Sequence, residues 1–142
     1  MHIEKNFLEA IGKWLNGSGW KEIYEYSTIT TAGKADALLK CAGKSGIKRA
    51  RYAQQVTLAT LQSLSRESFR DQSEFLTFDA WQKNMEAESA TAKFWFTVIN
   101  MDIILFMFVR SLRETDFELF RKCLEEMKPW LANLDLIKLS IN

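Results

Sequence analysis

The chain reads as an all-α protein: a single-domain, irregular bundle of about six or seven helices around a central apolar helix over about 91–113. Three observations predict this. Phe94 to Val109 is apolar on nearly every side, so neighbouring elements have to cover it. Apolar residues recur at helical spacing in several separate segments. The one strand-like stretch, Tyr24 to Thr30, stands alone, and an isolated strand makes no sheet.

Phe7, Leu8, Ile11, Trp14 and Leu15 fall at i, i+1, i+4, i+7 and i+8, one face of a first helix that Asn16-Gly17 stops. Ser18 is placed to cap a short second helix through Trp20, Ile23 and Tyr24. A third is expected from near Thr31, with Ala35, Leu38 and Leu39, ending before Gly43, where Lys44-Ser45-Gly46 forms the connection.

The fourth is long, about Ile47 to Phe69. At 100° per residue it turns Leu58, Leu61 and Leu64 to one side. Lys48, Gln55, Gln62, Arg66 and Arg70 gather on the other, which gives an amphipathic helix with a polar to basic outer face. Asp71 to Ser73 reads as a break, and Thr77 as the cap of a short helix burying Phe78, Trp81 and Met85.

In the central helix the polar residues Thr97, Asn100 and Asp102 share no face, which predicts no solvent stripe along it. Thr115 to Glu118 has the spacing of a capping box and opens a helix expected to point Phe117, Phe120, Leu124 and Met127 inward. Pro129 is expected to end it, with one more apolar turn at Trp130, Leu131 and Leu134.

Charge and composition exclude several classes of function. Net charge is +1, so no global field draws nucleic acid or anionic lipid. The charge is uneven, with 11 Lys/Arg against 7 Asp/Glu in residues 1–72 and 8 against 11 in residues 73–142. The apolar run of 16 residues falls short of the roughly 20 that span a bilayer and carries Asn100 and Asp102 near its centre, so no membrane partner is expected. No secretory signal opens the chain, and Cys41 and Cys123 lie far apart, which together point to a reducing intracellular compartment, nucleus or cytoplasm.

The sole histidine, His2, sits at the start of the chain, so histidine triads and histidine-rich zinc sites are not expected. Neither a metal nor a cofactor is expected, and no catalytic residue is assigned. Gly43-Lys44-Ser45-Gly46 lacks the upstream glycine of a phosphate-binding loop.

Two features hold chemical interest. Asp102 falls inside the apolar helix, where an unpartnered carboxylate costs several kcal/mol of solvation, so it is expected to be paired or neutral. A metal-dependent nuclease would need it with Asp135. Lys44, Lys48, Arg49 and Arg51 form a basic cluster that opens the last of three helices joined by short turns, a layout like that of helix-turn-helix readers. They are the candidate nucleic-acid contacts; a solvated face is the competing reading.

Several strings carry a resemblance. They are Phe94-Trp95-Phe96-Thr97-Val98, Phe108-Val109-Arg110-Ser111-Leu112-Arg113-Glu114, Asp116-Phe117-Glu118-Leu119 and Pro129-Trp130-Leu131-Ala132-Asn133-Leu134-Asp135. Upstream, Gly19-Trp20, Ala32 to Asp36, Leu39-Lys40 and Arg49 to Thr57 add to it. Together they resemble a family of uncharacterised, multicopy metazoan proteins that look derived from mobile elements. In that family the aspartate matching Asp135 leads into His-x-Asn-Tyr-Ala-Arg, whereas here Leu136-Ile137-Lys138 follows.

Family members are also usually longer on both sides, so the resemblance implies a truncated copy. The resulting expectation is a non-catalytic helical segment that packs against a protein partner or against the remainder of a longer chain. Nucleic acid is the alternative partner.

Overall fold

A computed structural model describes the backbone of residues 2–27, 34–43, 45–72 and 74–141, and side chains within those stretches from Ile3 to Ala132. In chain order the described elements are α1 (His2–Leu15), α2 (Trp20–Tyr26), α3 (Ala35–Leu39), α4 (Gly46–Gln72), α5 (Phe78–Glu88), α6 (Ala90–Glu114) and α7 (Phe117–Ile141). No strand occurs among the described residues. The fold is therefore the all-α bundle expected, and α6 is its axis: α1, α4, α5 and α7 all pack on it.

The described helices other than α5 supply apolar side chains to one core. Phe7, Leu8, Ile11 and Leu15 of α1 meet Val98, Met101, Ile104, Leu105 and Phe108 of α6, with Cys123 and Met127 closing the side on α7. Burial of such side chains at roughly 25 cal/mol per Å² is the main force holding the bundle together. Where α1 crosses α3 the backbones nearly touch: a Cβ on Gly12 would overlap the carbonyl oxygen of Leu39. Only glycine fits there. A smaller aromatic cluster of Phe69, Phe78, Trp81 and Phe96 ties the end of α4 to α5 and α6, and the Arg66 guanidinium lies 3.9 Å from the centre of the Phe78 ring.

The caps explain several boundaries. Thr77 accepts from the Ala80 amide at 3.2 Å, as expected, and Ser89 accepts from Ala92 at 3.1 Å, dividing α5 from α6. At α2 the cap position is not Ser18, as expected, but Gly19, in the left-handed region at φ 88°; Ser18 just before it accepts from the Trp20 amide at 3.2 Å.

Other expectations require correction. Thr115 is not the cap of α7; it takes the left-handed conformation at φ 52° that ends α6, and Asp116 accepts the Leu119 amide at 3.0 Å instead. Pro129 does not end α7, which runs on to Ile141 with the proline inside it. Phe117 points outward, 77% exposed, because it opens the helix before the packed turns begin. Leu64 is 55% exposed: the buried stripe of α4 runs Ala50, Ala53, Gln54, Thr57 and Leu61, a line of mostly small residues that lets α4 approach α6.

The central helix also differs from expectation. Asn100, Met107, Arg110 and Glu114 are exposed along one side of α6, so a solvent stripe does exist. At 25 residues α6 is long and apolar enough, by length and composition, to cross a membrane, and 44% of its most apolar window is buried within the bundle.

Some expectations fall outside the described residues: the start of α3 near Thr31, the end of the strand-like stretch at 28–30, Lys44 in the connection after α3, Ser73 in the break after α4, and the side chains of Leu134 and Asp135.

Candidate functional site

Two arrangements hold the residues singled out by their chemistry. The first lies in the core. Asp102 is fully buried on α6, and among the described residues no cation pairs with it. Its neighbour is Gln54 of α4, whose amide nitrogen, when turned inward, stands 2.9 Å from Oδ1 and 3.2 Å from Oδ2 of the carboxyl.

Beyond Gln54 the polar groups continue. The Tyr24 hydroxyl shares a hydrogen bond with Thr57 Oγ1 at 2.6 Å. Trp20 Nε1 donates to Thr57 Oγ1 at 2.9 Å, and Thr57 Oγ1 lies 2.9 Å from the Ala53 carbonyl, one turn back. Thr57 is thus a hub that fastens the seven-residue α2 to α4 through both of its buried side chains. A helix that short gains little from its own hydrogen bonds, so these contacts help to hold it.

Burial sets the electrostatics of this cluster. With no cation to offset desolvation, the Asp102 carboxyl is pushed well above the usual carboxylate range. Tyr24 rises to about 12, chiefly through burial, with its hydrogen bond to Thr57 acting against the rise and the Asp102 charge adding to it. The site is closed. Three surface clefts, one of about 490 Å³ lined by Glu9, Gly12, Lys13, Asn16, Asp36, Leu39 and Lys40, do not include Asp102 in their walls. Among the described residues no group of three or more His, Cys, Asp or Glu side chains is placed to hold a metal ion. Asp135, the other acid a nuclease would need, lies outside the described side chains.

The second arrangement is the outer side of α4. Lys48 and Arg49 are exposed there, and Arg66 and Arg70 are exposed on the same helix further on. Tyr52, 59% exposed, stands one turn after Lys48. From 48 to 70 the helix spans about 33 Å at ~1.5 Å per residue. Arg51, the fourth candidate contact, has a different partner: its Nε donates to Oε1 of the buried Glu4 at 2.6 Å, locking α4 to α1.

Periodicity favoured leucines as the inner face of α4 and so missed Gln54 and Thr57. The available signal was the small-residue line Ala50, Ala53, Gln54 and Thr57 at i, i+3, i+4 and i+7. No sequence signal joins Glu4 to Arg51 across 47 positions. Comparison with known protein families, with curated proteins and with solved structures finds no match.

Proposed function

We propose that the chain is a non-catalytic helical module that works by packing against a protein partner or the remainder of a longer chain. The observation that carries this reading is the apolar surface left along α6 and the start of α7. Met107 is 37% and Phe117 77% exposed, and Ile103 and Phe106 on α6 are only half-buried. Apolar side chains that a bundle leaves uncovered mark interaction surfaces when they lie together. The closed surroundings of Asp102 favour a structural role for that residue over catalysis. The resemblance to longer mobile-element-derived proteins supports the same view, with this chain as one segment of such a protein.

Photo-crosslinking side chains placed singly at Met107 and Phe117, with Gln62 on α4 as the comparison, test the reading in cells. Protein adducts at 107 and 117 but not at 62 are expected; no adduct at either site would overturn it.

A second reading rests on the outer side of α4, where Lys48, Arg49, Arg66 and Arg70 would contact phosphates. Binding of random duplex DNA or RNA would then weaken steeply as salt rises. The variant carrying alanine at those four positions should lose that binding with an unchanged far-UV spectrum. Arg51 is left intact in this variant, because its loss would strand Glu4.

A further inference from the structure

The exposed side of α6 is one strip, and its spacing is that of a seam between two helices. Asn100, Ile103, Met107, Arg110 and Glu114 recur at alternating intervals of three and four residues, the pattern that keeps one line of side chains facing a second helix. Phe96 belongs to the same strip, four residues before Asn100, and there α5 covers it through Phe78 and Trp81. Phe78 is the first residue of α5, so that cover stops about one turn short of Asn100. Past it the strip lies open: Asn100, Met107, Arg110 and Glu114 are exposed and Ile103 is half-buried.

We propose that a second copy of this chain covers that strip, its α6 lying antiparallel to the first in a two-fold dimer. The inference rests on the reading of α6 as an interaction face and names the partner of that face. In this direction the strip is complementary to itself. Antiparallel helices packed along such a seam set its alternating positions against each other, so Ile103 meets the partner's Met107 and Met107 the partner's Ile103. The next layer outward on each side sets Asn100 against the partner's Arg110. Arg110 Nε already donates to Glu114 Oε1 at 3.0 Å, and its guanidinium keeps further N–H donors for the Asn100 amide oxygen. Apolar layers at the centre are thus flanked by polar layers that match.

Charge selects this direction over the parallel one. Parallel helices in register would set Arg110 against Arg110 and Glu114 against Glu114, like charges at contact distance. Antiparallel, each Arg110 faces a neutral amide that accepts from it. Lipid is the poorer occupant, because Asn100, Arg110 and Glu114 would all have to enter the hydrocarbon along with the apolar pair. From Asn100 to Arg110 the seam runs about 15 Å at ~1.5 Å per residue. A seam this short belongs with small interfaces, under roughly 1,200 Å² in total, whose association is weak and reversible.

Disulfide trapping tests the direction. Cys41 and Cys123 are buried, so thiols introduced on the strip react first. Mixing an Ile103→Cys chain with a Met107→Cys chain under mild oxidation should give a covalent mixed dimer. Either variant alone should not, because identical positions are offset by four residues, about 6 Å along the axis, which puts them out of disulfide reach. Covalent dimers from the single variants, or no mixed dimer, would reject the antiparallel pair.

Sedimentation equilibrium of the purified full chain over a concentration series measures the association itself. A reversible monomer–dimer equilibrium is expected. Met107→Asp should weaken it by at least about 100-fold, since it places an unpaired carboxylate in both apolar layers. Its far-UV spectrum should stay unchanged, because Met107 already lies at the surface. A chain that remains monomeric up to about 1 mM, the weak end of specific binding, would overturn the proposal. So would a dimer that Met107→Asp leaves intact, and so would a monomer that co-sediments with phosphatidylcholine vesicles through Met107, which would give the strip to lipid. A monomeric chain whose crosslinkers at 107 and 117 still capture other proteins in cells would sink self-pairing and leave the interaction face standing; absence of those adducts as well would remove both.

Discussion

At the scale of single residues, the polar groups inside this bundle divide by whether a cation reaches them. Glu4 is buried but held by Arg51, whose own exposure of about a third keeps one side of the pair in water. Asp102 has no ion-pair partner among the described residues. Arg51→Ala should destabilise the fold by about 1–3 kcal/mol, because Glu4 is left buried without its cation. Adding Glu4→Gln should recover much of that loss, since a neutral amide tolerates the site better; a urea-melt double-mutant cycle measures the coupling. Purely additive losses would mean that the pair contributes by packing alone.

Gly12 gives a sharper case. A methyl group there meets the Leu39 carbonyl far inside contact distance, and backbone cannot yield as a side chain does. Gly12→Ala should cost at least about 2 kcal/mol, read from the shift in the denaturation midpoint.

At the scale of elements, turn chemistry decides boundaries that periodicity blurs. The α6–α7 corner uses Thr115 in the left-handed region and Asp116 as the cap. Thr115→Gly removes a conformational cost and should raise stability by up to about 1 kcal/mol. Asp116→Ala should lower it by about 1 kcal/mol, through the lost acceptor for the Leu119 amide. Thermal melts of the two variants should move in opposite directions.

Thr115 reads as the cap from sequence because Thr-x-x-Glu has the spacing of a capping box. Asp116 supplies the same acceptor one position later, and spacing cannot choose between them. Pro129 shows a similar limit. A proline costs α7 one amide donor, yet Met127 on the preceding turn is fully buried and Trp130 on the next packs against the core. Tertiary packing outweighs that local cost. Helix existence was legible almost everywhere, because apolar spacing survives packing. The inward side of α4 was not, because small and polar residues line it and leucines dominate a periodicity count. The Asp102 cluster was half legible: its burial followed from the apolar run, while its partners came from a helix some 50 residues earlier.

At the scale of the whole molecule, α6 binds parts of the chain that composition divides. The basic stretch over residues 18–70 and the more apolar stretch beyond 74 share one core through Met101, Ile104, Leu105 and Phe108. That core predicts a single cooperative unit. Leu105 is fully buried near the middle of α6, so Leu105→Ala should cost about 2–5 kcal/mol by lost burial and the cavity left behind. The informative quantity is how the loss is distributed. If both stretches depend on α6, tryptophan fluorescence, which reports Trp20 in one stretch and Trp81 and Trp95 in the other, and far-UV circular dichroism should shift together to one lower midpoint. If the basic stretch folded by its own contacts, the dichroism would show a second transition left unmoved by the substitution. The Trp20–Trp95 contact, with ring centres 5.2 Å apart, joins the two stretches directly and favours the first outcome. The fastening of α2 to α4 at Thr57 would then be read by the same fluorescence, since Trp20 both donates to Thr57 and packs on Trp95.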